Sequence, residues 1–286
     1  MTRSGPARRP DDRPRGARPR RARLVAVLGV LAVAALAAAC GPDGSSATDA
    51  TSAGDGDRTA LRGSITVSAA ASLTEVFTAI ADDFEAANPG ATVAVNFGSS
   101  GTLATQIEDG APVDVAAFAD EVTMGELADQ GLVAGPSEIF ATNQLVIVTE
   151  PGNPRDITSL ADLADAGTIS LCAATAPCGR FAEQVLADAR VAIDASAVTR
   201  GEDVKTTLGA VTEGDAEAAI VYVTDARVAG DGVDTVTIPA DDNVIARYPI
   251  AVVDETSDEA LARAFVAYVL GPEARAVLDE AGFQAP

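Results

Sequence analysis

Histidine and tryptophan are both missing from this chain of 286 residues. The first absence removes imidazole acid–base catalysis and histidine-ligated metal sites. The second, with only three tyrosines, argues against an aromatic platform for sugars or bases. Positive charge is also scarce. The chain holds 20 Lys and Arg against 42 Asp and Glu, a net charge of −22, and its only lysine is Lys205. Nine arginines fall within residues 1–23, so without residues 1–39 there remain 11 basic and 40 acidic residues, a net charge near −29. Such a surface is a poor partner for nucleic acid. Serine hydrolysis lacks its usual companions: there is no histidine base, no Ser-x-x-Lys at Ser72 or Ser100, and no Gly-x-Ser-x-Gly.

What is present begins with an export pattern. After the arginine-rich start, Leu24–Ala39 is an unbroken run of apolar and small residues. Sixteen residues are short for a membrane span and suit a secretory apolar region. The run ends Leu36-Ala37-Ala38-Ala39-Cys40-Gly41, which resembles a bacterial lipoprotein signal, with alanine in the place of the usual leucine three before the cysteine. That resemblance implies a signal peptide over 1–39 and lipid on Cys40. The alternative is an uncleaved anchor helix. Either version ties the protein to the cell membrane and puts the fold outside the cytoplasm. Residues 40–62 are rich in Gly, Ser, Asp, Thr and Ala and read as a flexible linker. In an oxidising compartment, Cys172 and Cys178 are expected to form a disulfide. Two free buried thiols are the alternative. A metal site there lacks a third ligand.

The rest of the chain alternates strands and helices. Ser64–Ala69 reads as a strand, and Leu73, Val76, Phe77, Ile80 and Phe84 follow at helical spacing until Asn88-Pro89-Gly90. Ala91–Phe97 is a second strand, Leu103 and Ile107 mark a short helix, and Val113–Phe118 is a third strand. Later strands are expected at 143–149, 168–172, 218–223, 233–238 and 250–253. Helices are expected after Cys178-Gly179 and over 203–212, 258–270 and 272–281. The order is that of an α/β protein with parallel sheets covered by helices. No internal repeat is visible.

Two hydroxyl-rich turns stand out, each between a strand and a helix: Ala69-Ala70-Ala71-Ser72-Leu73-Thr74 and Phe97-Gly98-Ser99-Ser100-Gly101-Thr102-Leu103. A serine there lies beside the unpaired N–H groups of a helix start, which hold an anion without a basic side chain. The plainer roles stand beside this one. Ser72-Leu73-Thr74-Glu75 fits a capping box, and Ser100 fits an ordinary glycine-rich turn. Tyr222, after three apolar residues on a strand, fits a core position. Asp225 and Glu202-Asp203 fit helix-start carboxylates.

These segments are similar, in order and spacing, to the molybdate-binding proteins of bacterial ABC importers. The resemblance covers most of 63–286. It rests on Ala-Ala-Ala-Ser-Leu at 69–73, Gly-Ser-Ser-Gly-Thr-Leu-Ala-Thr-Gln-Ile at 98–107 and Gly-Ala-Pro-Val-Asp-Val at 110–115. It continues through Gly-Glu-Asp-Val at 201–204, Ile-Val-Tyr-Val-Thr-Asp-Ala at 220–226, Tyr-Pro-Ile-Ala-Val-Val at 248–253, and Phe265 to Gly271-Pro272-Glu273-Ala274. It implies a two-domain periplasmic-binding-protein fold of type II, each domain a mostly parallel sheet flanked by helices, with the ligand in the interdomain cleft. Domain I is expected over 63–141 and 246–286 and domain II over 142–245, with a hinge near Asn143 and Arg247. The resemblance implies molybdate or tungstate as the bound oxyanion and no other cofactor. It assigns as ligands the hydroxyl and backbone of Ser72 and of Ser100, the Tyr222 hydroxyl, and the backbone N–H groups of Cys178 and Val204, Cys178 standing where the family more often has alanine. It further implies no catalysis, a permease and its ATPase as partners, and a monomer. A binding protein for sulfate, thiosulfate or an organic acid is the alternative, and an extracellular serine hydrolase a more distant one.

Overall fold

In the computed structural model, residues 61–286 are described. The expected signal peptide, Cys40 and almost all of the expected linker lie outside the described residues. The first strand, β1 (Arg62–Ala70), already takes in the linker's last residue. Nine strands join into one sheet in the order β2-β1-β3-β9-β4-β7-β5-β6, with β8 paired to β4.

The first half is built from β1, α1 (Thr74–Ala87), β2 (Gly90–Gly98), α2 (Ser100–Glu108) and β3 (Val115–Ala117). β1 pairs in parallel with β2 on one side and β3 on the other. The second half repeats this plan with β5 (Ile169–Cys172), α4 (Pro177–Asp188), β6 (Val198–Gly201), α5 (Val204–Thr212) and β7 (Ala218–Tyr222). Here β5 is the central strand, parallel to β6 and β7. The repeat is one of topology only, since the two halves share no visible sequence period.

Two long strands bind the halves together. β4 (Glu138–Thr149) pairs antiparallel with β9 (Ile245–Val252) over its first part, then with β7 and β8 (Asp234–Thr237). β9 continues on to β3. Thr142 pairs with Arg247 and Asn143 with Ala246, so the two expected hinge positions lie side by side on the crossing strands. The mostly parallel sheets are therefore closed by antiparallel strands at the crossing.

The helices cover the sheet with the apolar stripes that the spacing predicts. Val76, Phe77, Ile80 and Phe84 of α1 are buried, as are Val204, Leu208 and Val211 of α5. Phe84 meets Phe265 of α7 (Glu259–Val269) edge to face at 5.3 Å. α8 (Pro272–Ala281) ends at Gly282, whose φ of 99° suits a residue without Cβ.

Several elements differ from the sequence expectation. α3 (Glu121–Asp129), β6 and α6 (Val223–Ala229) were not expected as elements. β4 and β9 begin earlier than their apolar runs, and α4 starts at Pro177, so Cys178 and Gly179 lie inside its first turn. None of the described helices is long and apolar enough to cross a membrane.

Candidate functional site

All six parallel strands end towards one place. In a parallel α/β sheet the C-terminal strand ends and the following helix N-termini form the ligand edge. β1 ends at Ala70 with Ser72 just beyond, β2 ends at Gly98 with Ser99 and Ser100 next, and Ala119 follows β3. Ala176 to Cys178 follow β5, Asp203 and Val204 follow β6, and Tyr222 ends β7. These residues line a single small cavity of about 10 Å³. Ser72, Ser100, Cys178, Val204 and Tyr222, 150 residues apart at the extremes, are thus brought together, and all five are buried.

The main chain supplies most of the polarity. Ser100 is the first residue of α2 and Val204 the first of α5, while Cys178 is the second of α4. An N–H in a helix's first turn has no partner within the helix. At α2 and α4 no side chain caps these groups. At α5 the Asp203 carboxylate accepts Thr206 N–H at 2.9 Å, two residues beyond Val204, which itself lines the cavity. Three helix N-termini therefore aim partial positive charge at one point.

The hydroxyls complete the set. Ser100 Oγ accepts the Ala119 N–H at 3.1 Å and keeps its own proton to give. Ser72 Oγ lies 2.9 Å from Tyr248 Oη. Tyr222 Oη is buried with no hydrogen-bond partner among the described residues. Burial, and then the neighbouring Tyr248, Asp120 and Asp225, push its ionisation well above the ordinary phenol range, so it remains a neutral donor. A buried donor without an acceptor costs free energy unless a ligand supplies one.

The capping box expected at Ser72 does not form. Ala71–Leu73 makes a short 3-10 turn, α1 starts at Thr74, and Thr74 Oγ1 donates to Ala71 O at 2.7 Å. That frees the Ser72 hydroxyl for Tyr248. Glu75 turns to Lys205 instead, with both carboxylate oxygens 2.9 Å from Nζ. Lys205 also stands 3.3 Å from Asp225, which is fully buried. Asp203 and Asp225 keep the helix-start places expected of them, as cap of α5 and in the first turn of α6.

A disulfide joins Cys172 at the end of β5 to Cys178 in α4. It ties down the turn that presents the Cys178 N–H. Gly179 lets that turn approach closely, since a Cβ there would lie 2.0 Å from Ala173 O. Between the halves, Arg180 binds Asp120 through Nε and Nη2 and Thr123 Oγ1 at 2.7 Å, and within its own half Thr175 O at 2.6 Å. Asp120, Arg180, Lys205 and Tyr248 carried no role in the sequence reading. Tyr248 lies in one of the segments that support the family resemblance, but the others had no signal, because the partners they meet in the other half of the molecule lie 57 or more residues away.

The chemistry of the lining is one-sided. The three hydroxyls and the helix-start N–H groups at the cavity can all donate, no basic side chain lines it, and its one carboxylate, Asp203, is engaged in capping α5. No cluster of three or more metal-ligating side chains occurs among the described residues.

Residues 65–284 match the family described as bacterial extracellular solute-binding protein. The chain is 42% identical over 224 residues to the molybdate-binding protein ModA of Mycobacterium tuberculosis, covering 78% of this chain and 85% of that one. Among solved structures, the periplasmic molybdate-binding protein of Azotobacter vinelandii superposes with a TM-score of 0.68 at 24% identity, covering 78% of this chain and 99% of that one. The sulfate-binding protein SubI of Mycobacterium tuberculosis gives 0.70 at 22% identity, covering 78% and 86%. At those identities the two structures speak to the fold, which is that of the type II periplasmic binding proteins.

Proposed function

The chain belongs to the bacterial extracellular solute-binding protein family, and we propose that it captures molybdate, with tungstate as a close substitute, and delivers it to an ABC permease. The observation that carries this reading is the Tyr222 hydroxyl, buried and unpartnered at a cavity lined by three helix N-termini, two of them without a side-chain cap. The ligands are the hydroxyls of Ser72, Ser100 and Tyr222 and the N–H groups of Ser72, Ser100, Cys178 and Val204.

The binding mechanism is local polarity overcoming an adverse overall field. A dianion approaches a processed chain with 11 basic and 40 acidic residues, a net charge near −29, so long-range electrostatics opposes it. Inside the cavity these seven donors, each worth roughly 1.5–3 kcal/mol to an ionised acceptor, supply a gross ~10–21 kcal/mol. Ordering and closure remove part of this, leaving affinity on the order of micromolar to nanomolar. Sulfate, whose bonds are shorter, leaves some donors out of reach. Neither serine is set up for hydrolysis: Ser72 meets a tyrosine and Ser100 an amide N–H.

Domain I is 63–141 with 246–286 and domain II 142–245, the hinge being the paired strands at Asn143 and Arg247. Opening there parts the first-half donors from the second-half donors. The protein works as a monomer, held to the outer face of the cell membrane through lipid on Cys40. The permease and its ATPase supply the transport energy. Calorimetric titration of the purified protein with molybdate, tungstate, sulfate and phosphate tests the assignment. Tight binding of the first two alone is expected, and equal affinity for sulfate overturns it in favour of the sulfate reading.

A further inference from the structure

Asp225 lies in the first turn of α6, three residues beyond Tyr222, and among the described residues no other carboxylate is wholly buried. The two nearest to it in burial are well supplied with donors. Asp114 accepts from Thr66 N–H, Ser257 N–H and the hydroxyls of Thr256 and Ser257. Asp120 accepts from Arg180 and Thr123 N–H. Asp225 has no such supply, and neither of its oxygens has a hydrogen-bond partner among the described residues. Its one nearby cation is Lys205 of α5, with Nζ at 3.3 Å. That ammonium is already held by both oxygens of Glu75 on α1, each at 2.9 Å. The other groups around Asp225 carry no charge. β7 and β9 contribute the phenols of Tyr222 and Tyr248, which burial keeps neutral, and β4 contributes Asn143, bonded to Thr224. Arg227, on the same helix, turns away to Glu280 O of α8 at 3.3 Å. One ammonium therefore serves two carboxylates beside a cavity built for a third anion.

Closure sharpens this imbalance. Glu75 belongs to the first half, whereas Lys205 and Asp225 belong to the second. Opening the hinge removes Glu75 and leaves the lysine to Asp225 alone. Closing draws the ammonium towards Glu75, brings a second carboxylate near, and seats a dianion against Tyr222. Each change favours the neutral acid over the carboxylate. The start of α6 and Lys205 pull the other way, but both do so in the open form too. We propose that Asp225 is a proton-binding site coupled to capture: closure on the oxyanion takes a proton from solvent onto its carboxyl, and opening returns it. This rests on the oxyanion-binding reading above. Lys205 stays an ammonium throughout, so the group of Asp225, Lys205 and Glu75 loses its net negative charge as the dianion arrives. In the protein alone, burial already raises the Asp225 carboxyl to about 6. A dianion beside it raises its proton affinity on the order of tenfold, which brings it into the neutral pH range. A group that gains a proton on binding makes affinity fall as pH rises.

Calorimetric titration with molybdate at pH 7, in two buffers of different ionisation enthalpy and neither of them an oxyanion, counts the protons. The native protein is expected to take up roughly half a proton per molybdate, and the same with tungstate. Its affinity is expected to fall roughly threefold or more from pH 6.5 to pH 8.5. Asp225→Asn is expected to bind still, to exchange no proton and to lose that pH dependence. Glu75→Gln is expected to take up less than the native protein. Infrared difference spectra with and without molybdate are expected to show a protonated carboxyl band in the native protein that Asp225→Asn lacks. A native protein that binds molybdate without proton uptake overturns the proposal, and that measurement needs no variant to fold. Uptake that persists in Asp225→Asn overturns it as well. Failure of the native protein to bind molybdate at all overturns the oxyanion reading itself, a distinct result.

Discussion

Arg180 of α4, in the second half, reaches Asp120 in the first, the residue that caps α3. The guanidinium binds the Asp120 carboxylate, which also accepts Thr123 N–H at 3.0 Å and is buried. The arginine side chain is 32% exposed, so its charge is partly screened. Breaking a buried pair from one side costs up to about 3–5 kcal/mol, and the exposure here reduces that to roughly 1–3 kcal/mol. Arg180→Ala is therefore expected to lower the melting temperature and to speed molybdate release. Asp120→Asn keeps the cap oxygen and is expected to cost less. Thermal melts of the two variants check the order, and an unchanged melt for Arg180→Ala refutes it.

Tyr222→Phe separates binding from stability. The hydroxyl is buried without a partner in the unliganded protein. Its removal is expected to stabilise that form by about 1 kcal/mol, and to weaken molybdate binding roughly tenfold or more. Melting curves with and without molybdate read both effects at once. A loss of stability without ligand contradicts the unpaired state.

Asp225 gives a pH dependence with a definite sign. Burial raises its carboxyl from 3.8 to about 6, against the opposing pull of Lys205. A native-state value above the unfolded one means that the native protein binds more protons between those pH values, so this group's contribution to stability falls as pH rises through 6. Charged Asp225 thus costs the native state about 1–3 kcal/mol at pH 7.5. Asp225→Asn is expected to be the more stable protein at pH 7.5, with the advantage shrinking towards pH 4. Urea melts at both pH values decide it. A less stable variant at pH 7.5 means that the Lys205 ion pair outweighs desolvation.

Much of this architecture is readable from apolar spacing. Phe77, Ile80 and Phe84 announce α1, and Val204, Leu208 and Val211 announce α5, because one helical stripe faces one sheet. α3 escapes because Met124 and Leu127, its two large buried apolar side chains, are separated by Gly125 and Glu126. β6 escapes as a four-residue edge strand whose middle residues are exposed. β4 reads short because its register shifts between Ile139 and Ala141, which breaks the two-residue alternation. At the site, the glycine–serine turns are visible locally. The role of Ser72 is not, since four residues of capping pattern cannot compete with a Tyr248 that lies 176 positions away.

The disulfide is expected to matter for the ligand as well as for the fold. It closes a loop between positions six apart, for which chain entropy alone suggests about 2 kcal/mol. Replacing Cys172 and Cys178 together with alanine, or reducing the native protein, is expected to lower stability by that order and to weaken molybdate binding several-fold. The second effect follows from freeing the turn that presents the Cys178 N–H. Titrations with and without reductant measure it, and unchanged affinity on reduction shows that α4 is held without the bridge.

Gly101 offers a way to obstruct closure while leaving each half intact. It lies in the first turn of α2, and a Cβ there would stand 2.7 Å from Thr175 O, in the turn that leads into α4 on the opposite side of the cavity. A backbone oxygen at that range cannot yield as a flexible side-chain tip can. The other nearby atoms belong to Thr175 itself or to the tip of Ser99, the latter at 4.0 Å. Alanine is the better helix former, by about 1 kcal/mol, so α2 itself is not harmed. Gly101→Ala is therefore expected to leave the unliganded melting temperature within a few degrees of native. Molybdate affinity is expected to fall by more than tenfold, because the clash arises only when α2 and the Thr175 turn come together. Small-angle scattering with saturating molybdate is expected to show a more extended particle than native. Native affinity in Gly101→Ala refutes the role given to this contact.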